Sequence, residues 1–295
     1  MDSPPDLNIR VLRYFVALVE AGTYTRAAAQ LHVATPSLSQ QISKLEHDLG
    51  VRLVERDHRG ARLTAAGTEF LPLAVDLLST HDRAVGMMRR HRRAEIHRIR
   101  IGFYATMAGP RTREILDSLR TISPATTVEL VQVSWGDQVR AVLDGRVDVA
   151  FARPPLDTAH VRTFPVFTEK RVLAMSANHP LARFPELRIA DMSGVVQVDT
   201  DNVPEEWRRW WSVDPRPDGT AVRYGPLVHG AEEMLEVVAN TDAVAITAES
   251  LVMAFPRPDI VYRPIVDIEP ARIVLVAPSD DRPAVRALVR AVTGD

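Results

Sequence analysis

The chain has 295 residues, which is enough for two domains and too many for one typical core. Hydrophobic residues make up 46% and charged residues 25%, as in an ordinary soluble protein, and the absence of cysteine excludes disulfides, thiolate metal sites and cysteine nucleophiles. The first residues lack the features of a secretion signal, and no apolar run approaches the roughly 18 residues of a membrane span. We therefore expect a cytoplasmic protein.

The formal net charge of −2 does not by itself indicate a DNA-binding protein. The basic residues are unevenly distributed, however, with arginines concentrated at 83–100 and again at 52–62. A solvated helix face is the plain explanation of such a cluster. If these arginines lie on one shared surface, they indicate a nucleic-acid partner instead. The positions of the arginines in the folded protein therefore decide between the two interpretations.

Two helices are predicted near the start of the chain. Asp6 or Asn8 can cap the first, whose apolar residues recur at helical spacing until Gly22 ends it. Thr23 offers an N-cap for a second, short and alanine-rich helix that ends at Leu31. The small side chains of this second helix allow another helix to approach it closely.

A third helix follows a tight turn at 32–34. Thr35 is expected as its N-cap, Pro36 as its first residue and Gly50 as its end. Two short helices joined by a tight turn are typical of a helix-turn-helix, whose second helix enters the DNA major groove. A plain polar helix face is the alternative for the serines and glutamines alone. The residues predicted to contact DNA here are Thr35, Pro36, Ser37, Ser39, Gln40, Gln41 and Lys44.

Two short apolar segments around a basic, glycine-containing turn follow at 51–64. They predict a wing, a small pair of strands beside the helix-turn-helix. Arg56, Arg59 and Arg62 are then expected to contact phosphates or the minor groove.

Residues 12–67 resemble the DNA-binding region of LysR-type transcriptional regulators. The matching segments are Ala27-Ala28, Pro36-Ser37-Leu38-Ser39, Leu45-Glu46, Leu49-Gly50-Val51, Glu55-Arg56 and Leu63-Thr64-Ala65-Ala66-Gly67. Two positions depart from the family pattern. Val54 stands where the family usually has phenylalanine, which indicates a change in core packing. Gln40 stands where arginine is frequent, which indicates an altered base preference.

Residues 64–93 are predicted to form one long linker helix that begins after Thr64. Its apolar stripe must be buried against another protein surface. Pro72 should bend the helix slightly or disturb one of its hydrogen bonds. The resemblance implies an antiparallel partner helix from a second subunit, and hence a homodimer that pairs into a tetramer. A core helix of a single subunit is the alternative.

Beyond residue 93, short strands alternate with helices, which indicates parallel sheets covered by helices. The predicted strands are 98–103, 127–133, 147–151, 171–175, 194–198, 243–246 and 272–277, and the predicted helices are 111–121, 137–143, 231–240 and 282–292. Ligands of such sheets bind at the carboxyl ends of strands or between lobes.

Residues 99–102 and 143–150 resemble the first and third strands of the LysR-type sensor. The resemblance implies an α/β, two-lobed effector domain at 94–295 with the type 2 periplasmic-binding-protein fold. It follows an α-rich N-terminal part, which consists of a winged helix-turn-helix at 1–63 and the linker helix. Lobe I would comprise 98–165 and 268–295, and lobe II 166–267.

Carrying over the family's pocket positions gives Thr106, Met107, Trp135, Phe151, Arg153, Asp199, Thr200, Asn202 and His229. Thr106 could present its hydroxyl to an anionic group, and Arg153 could pair with a carboxylate. Plain alternatives exist for three of these residues. His229 is more often a cap or a surface residue, Trp135 is equally suited to a core, and Arg153 could pair with a local acid.

The segment 203–211 carries Trp207, Trp210 and Trp211 among charged residues. Tryptophans at this spacing on a short helix could form a lid over the cleft or a contact between subunits. Packing beneath the loop at 215–219 is the plainer interpretation.

These features predict a DNA-binding transcriptional regulator that responds to a small organic metabolite, with RNA polymerase as a further partner. The alternative is a regulator without a small ligand, controlled by a partner protein. An enzyme is disfavoured because the sequence has no P-loop, dinucleotide fingerprint, metalloprotease motif or nucleophile elbow. A secreted solute-binding protein would need an export signal and no DNA-binding module. We expect neither a cofactor nor a metal.

Overall fold

The computed structural model describes residues 7–57, 60–95, 97–279 and 282–294. The chain divides into two compact units, residues 1–85 and 86–295. The predicted long helix is present as α4 (Ala65–Glu95), so the division between the units falls inside this helix rather than at one of its ends. Among the described helices, none combines the length and the apolar character that a membrane span requires.

The first unit contains the predicted helices and the wing. It comprises α1 (Ile9–Ala21), α2 (Tyr24–Gln30), α3 (Thr35–Leu49), β1 (Val54–Asp57), β2 (Gly60–Leu63) and the first part of α4. Asn8 and Thr23 cap α1 and α2, because each side chain accepts a hydrogen bond from a first-turn amide. Asp6 lies outside the described residues. The two strands pair antiparallel, as expected for a wing.

The start of α3 differs from the prediction. Thr35 is the first helical residue, and the N-cap is Ala34, whose extended backbone makes no side-chain hydrogen bond to the helix. Pro36 is therefore the second residue. Its missing N–H costs nothing there, because first-turn amides have no partner within the helix.

The core of the first unit forms where α1, α2 and α3 meet. Phe15, Leu38 and Ile42 are fully buried there, and Val54 is buried beside them. Gly67 of α4 lies against the start of the wing, since a Cβ at this position would come within 2.0 Å of the Leu53 carbonyl oxygen. The sequence Thr-Ala-Ala-Gly thus allows α4 to pack directly on the backbone that leads into β1.

The first lobe of the second unit is a five-stranded sheet covered by helices. Its elements are β3 (Arg98–Phe103), α5 (Thr112–Ile122), β4 (Thr127–Gln132), α6 (Gln138–Leu143), β5 (Val149–Ala152), β6 (Val161–Glu169), β12 (Ala271–Pro278) and α10 (Pro283–Thr293). The strand order is β4-β3-β5-β12-β6. Only β4, β3 and β5 are parallel, whereas β12 is antiparallel to both of its neighbours. The expectation of a parallel sheet therefore holds for these three strands and is wrong for β12 and β6.

The second lobe is built around a three-stranded antiparallel sheet. Its elements are β7 (Arg171–Ser176), β8 (Val196–Asp199), α7 (Glu205–Ser212), β9 (Arg223–Leu227), α8 (Ala231–Asn240), β10 (Ala245–Ala248), α9 (Glu249–Ala254) and β11 (Ile260–Pro264). β7 lies between β10 and β11, and β8 pairs with β9 in parallel. The chain crosses between lobes at Lys170 and near residue 270. The first crossing is later than the expected residue 165, because β6 pairs with β12 as far as Glu169.

The last part of α4 belongs to the second unit and is fixed to the end of α6. Arg90 donates to the Val142 carbonyl oxygen at 2.7 Å, and Arg93 donates to that of Gly145 at 2.9 Å. Gly86 allows the close approach, since a Cβ there would lie 2.3 Å from the Leu143 carbonyl oxygen. Arginines at a helix C-terminus satisfy its free carbonyls. These two arginines of the 83–100 cluster therefore serve packing rather than a solvated or DNA-facing surface.

Candidate DNA-binding surface and interlobe cleft

Helix α3 has one buried and one polar face. Leu38, Ile42 and Leu45 point into the core, and the predicted contact residues lie on the other side. Pro36, Ser37, Gln40 and Lys44 are exposed, while Thr35, Ser39 and Gln41 are half-buried at the edges. The exposed face therefore carries hydroxyl, amide and ammonium groups, which can bind base edges and phosphates.

The wing is held against the turn between α1 and α2. The amide of Ala61 donates to the Gly22 carbonyl oxygen at 2.8 Å, and a Cβ at Gly60 would come within 2.4 Å of the same oxygen. Arg62 is exposed on β2. Arg59 and the side chain of Arg56 lie outside the described residues, so their predicted contacts remain predictions.

The second unit contains a cleft between its two lobes, which we call the interlobe cleft. It consists of two adjoining cavities of about 410 and 420 Å³ and a more open one of about 1050 Å³. Trp135 lines all three, and the two smaller cavities also share Trp207, Trp211, Met234 and Ile246. Mostly apolar and aromatic side chains line the two smaller cavities, as is usual for small-molecule sites.

Six of the nine residues predicted for the pocket line these cavities, namely Thr106, Trp135, Arg153, Asp199, Thr200 and His229. The other three lie elsewhere. Met107 and Phe151 are buried in the core of the first lobe. Asn202 is exposed and lines none of the three cavities; it accepts a hydrogen bond from the Thr200 hydroxyl and donates one to the His229 carbonyl oxygen. The prediction carried Met107 and Phe151 over from the family's pocket positions, but their side chains pack in the core with α5 and α10.

Arg153 lies at the inner end of the cleft and is already paired. Its guanidinium bonds the Glu169 carboxylate at 2.9 Å, and one of its nitrogens also donates to the hydroxyls of Thr106 and Ser250. Burial disfavours the charged form, but Tyr104 and Glu169 outweigh it and hold the pKa of Arg153 above its usual value. The structure thus supports the plain alternative of a local acid, and that acid is Glu169.

Aromatic residues form much of the cleft wall. Trp207 packs against Trp135 and Trp211, with ring centroids 6.1 and 5.5 Å apart, and Tyr104 meets Trp135 edge to face. The Trp207 indole N–H donates to the Arg153 carbonyl oxygen at 3.1 Å, which links the lobes. Trp207 and Trp211 are therefore a buried wall of the cleft, and neither an exposed lid nor a surface patch.

Trp210 has a different role from its neighbours. It is half-buried and packs on Arg171, whose guanidinium lies 4.0 Å from the Trp210 ring centre and donates to the carbonyl oxygens of Trp210 and Trp211. Burial lowers the pKa of Arg171 to about 10.

The spacing of Trp207 and Trp211 was the sequence signal for the cleft wall, since residues four apart share one face of a helix. Tyr104 and Glu169 gave no comparable signal.

The outer part of the cleft is acidic. His229 is exposed and directly precedes Gly230, the N-cap of α8. Its backbone amide donates to the Glu233 carboxylate at 2.7 Å, and its ring nitrogen lies 3.2 Å from the same oxygen. Its other ring nitrogen lies 3.5 Å from Asp201. Glu232 also lines the open cavity. The structure thus supports the interpretation of His229 as a surface residue, because the N-cap of α8 is Gly230.

The loop that follows β3 carries backbone strain next to the cleft. Ala105 and Met107 both have positive φ, of 51° and 49°, which side-chain-bearing residues adopt at a cost of order 1 kcal/mol or more. Thr106 lies between them and is held by Arg153 and Ser250. Strained backbone of this kind is typical of ligand sites.

Comparison with known families agrees with both units. Residues 9–68 match the family described as bacterial regulatory helix-turn-helix protein, lysR family, and residues 92–294 match the LysR substrate binding domain. The chain belongs to the LysR family. A relative in Escherichia coli K12, the Hca operon transcriptional activator HcaR, is 36% identical over 67% of this chain and 66% of its own length.

Other relatives of this LysR-family chain are similarly distant. The transcriptional regulator BenM of Acinetobacter baylyi is 35% identical over 59% of this chain and 57% of its own length. The chain thus spans between half and two thirds of the curated relatives it matches. The crystal structure of CbnR, a LysR family transcriptional regulator, has 27% identity and a TM-score of 0.55, and the match covers 97% of this chain and all of CbnR. Full-length CbnR has also been solved with its target DNA, at the same identity and TM-score.

Proposed function

We propose that this LysR-family protein is a sequence-specific DNA-binding regulator of transcription. The observation that carries the proposal is α3, which buries its apolar face and exposes Ser37, Gln40 and Lys44 beside a wing. Glutamine can bond adenine through two hydrogen bonds, and lysine can neutralise a phosphate. CbnR, whose structure with its target DNA is similar to this chain, supports the same assignment.

Dimerisation through α4 is the second part of the proposal. Leu73, Leu77, Met87 and Met88 are each at least 42% exposed, and the helical repeat places them on one side of the helix. An exposed apolar stripe of this length favours burial against a second copy. Two copies would present two recognition helices to half-sites about one DNA turn apart.

The third part assigns the interlobe cleft to a small-molecule effector, with no catalytic role. A ligand that binds more tightly to one arrangement of the two lobes than to the other would shift the protein on DNA towards the arrangement that it prefers. RNA polymerase is the expected downstream partner, and the cytoplasm is the expected location because the proposed target is DNA. Control by a partner protein instead of a ligand is the competing form of this proposal.

A gel-shift titration at physiological salt tests the DNA-binding proposal. It compares DNA from upstream of the protein's own gene with an unrelated fragment of equal length. We expect a preference of about a thousandfold or more. Absence of binding to either fragment at low salt would overturn the proposal, since even non-specific binding is strong under that condition.

A further inference from the structure

We propose that the interlobe cleft takes an uncharged, flat, largely apolar molecule that carries a hydrogen-bond acceptor such as a carbonyl oxygen, and that it selects against carboxylates. The inference rests on the proposed function only in treating this cleft as the effector site. It reverses the expectation, drawn from the sequence, that Thr106 and Arg153 bind an anionic group.

Aromatic and aliphatic side chains form the walls of the two smaller cavities. Trp135, Trp207 and Trp211 line both smaller cavities, together with Met234 and Ile246. The aromatic rings are tilted at 41° and 39° to one another and present apolar faces rather than charged groups. Walls of this kind favour a flat ligand with apolar faces.

Two hydrogen-bond donors of the cleft residues have no acceptor among the described residues. The indole N–H groups of Trp135 and Trp211 are both buried, and neither has a hydrogen-bond partner within the described part of the chain. A buried donor that has lost water and gained no acceptor is unfavourable, and native proteins rarely leave one unpaired. Since both tryptophans line the cleft, an acceptor on the ligand would satisfy at least one of them.

The arginines at the cavities are already neutralised by carboxylates. Arg153 is neutralised by Glu169, and Arg208 pairs with Asp199 at 3.0 Å, so both arginines that lie at the cavities already have carboxylate partners. Beyond them, the open cavity is lined by Glu232 and Glu233. A ligand carboxylate would be repelled by these glutamates on its way into the cleft. It would then lose its hydration without gaining an unpaired cation as a partner, and the free-energy cost of this burial is far larger than that of a neutral carbonyl group. An uncharged acceptor satisfies the indoles without that penalty.

Three molecules of nearly equal size distinguish the effect of a ligand's charge from the effect of its hydrogen-bond acceptor. Acetophenone has an uncharged acceptor, benzoate a charged one, and ethylbenzene none. Their affinities for the full-length protein can be measured by ligand-observed NMR titration, which does not depend on tryptophan fluorescence. We expect acetophenone to bind saturably and about tenfold or more tighter than either of the others, because only acetophenone supplies an acceptor without a charge.

Substitutions locate the contact. Trp135→Phe and Trp211→Phe keep an aromatic ring and remove the N–H. At least one of these substitutions should therefore lower the affinity for acetophenone about tenfold and leave the affinity for ethylbenzene unchanged. Trp210→Phe is the matched control, because Trp210 packs on Arg171 and lines none of the three cavities. Circular dichroism verifies that each variant is folded.

Tighter binding of benzoate than of acetophenone would overturn the inference, as would saturable binding of none of the three up to their solubility limits. Unchanged acetophenone affinity in both Phe variants would also contradict it. Each of these outcomes leaves the gel-shift result intact, so failure of the ligand class is distinguishable from failure of the regulator assignment.

Discussion

The guanidinium of Arg153 and the carboxylate of Glu169 form an ion pair at 2.9 Å in which neither side chain is more than 4% exposed. Arg153 follows β5, and Glu169 is the last residue of β6, directly before the chain crosses into the second lobe. The other carboxylate oxygen accepts the amide of Ser250 at 2.7 Å. One buried network thus joins both lobes at the inner end of the cleft and removes the charge that a ligand anion would need.

Glu169→Gln should destabilise the protein, because it leaves the Arg153 charge buried without its counter-ion. Breaking a buried pair in this way lowers the free energy of unfolding by about 3–5 kcal/mol. Glu129→Gln is the control, since Glu129 forms a half-exposed pair with Arg100 and its loss should cost about 1 kcal/mol at most. Denaturant unfolding measures both, and equal losses in the two variants would refute the buried-pair account.

Asp148 fixes the end of α4 to the second unit. Its carboxylate is fully buried and accepts hydrogen bonds from Arg93, Arg282 and the backbone amide of Arg100. Asp148→Asn should therefore lower stability by about 3 kcal/mol, within the range for a broken buried network, and should speed amide hydrogen exchange in residues 86–95. Asp117→Asn, which alters an exposed pair with Arg120, should do neither. Unchanged exchange in Asp148→Asn would show that other contacts hold this end of α4.

The exposed stripe of α4 should determine the oligomeric state. Leu77→Asp places a charge within the stripe and should convert the dimer to a monomer, as measured by sedimentation equilibrium. Val75→Asp is the matched control, because Val75 is equally exposed but lies on the opposite side of the helix. A dimer that survives Leu77→Asp, or a parent protein that is already monomeric, would exclude this interface.

The pairing of Asp82 with α1 should make the first unit sensitive to acid. Burial alone would raise the pKa of Asp82, but hydrogen bonds from His81 and Arg13 and the charge of Arg13 hold it below the usual 3.8. A carboxyl whose pKa is lowered on folding stabilises the folded state above its unfolded pKa, and loses that contribution as the pH falls through its folded pKa. Calorimetry of Asp82→Asn should therefore show lower stability than the parent at neutral pH and a shrinking difference below pH 3.8. A difference that does not change with pH would contradict the assignment.

Local signals in the sequence predicted the order of elements and most of their positions. The helices of the first unit were predicted from the caps at Asn8 and Thr23, from glycines at helix ends and from helical spacing. In the second unit, the predicted helix at 231–240 coincides with α8. Three strands were missed for physical reasons. β6 contains Pro165, which is tolerated because this strand is at the edge of its sheet. β9 is short and exposed, and β11 alternates only weakly.

The composition of the interlobe cleft was harder to predict, because its contacts join residues far apart in the chain. Thr106, Trp135 and Arg153 were expected in the pocket because they stand at the pocket positions of the family that the chain resembles. The partner that neutralises Arg153 lies 16 residues away on β6, and Ser250 lies 97 residues away. No periodicity connects such residues. The sequence therefore indicated where the cleft is, and only the structure shows that its arginine is already paired.

The most direct test of the regulator assignment is the DNA preference of Gln40→Ala. Gel-shift titrations would compare the parent, Gln40→Ala and the control Asn178→Ala on operator DNA and on single-base operator variants; Asn178 is exposed in the second unit and lines none of the cavities of the cleft. We predict a strong operator preference in the parent and in Asn178→Ala, and loss of about 1–3 kcal/mol of discrimination at one base pair in Gln40→Ala. Equal binding of all fragments by the parent, or an unchanged preference in Gln40→Ala, would contradict the assignment of α3 as the helix that reads DNA sequence.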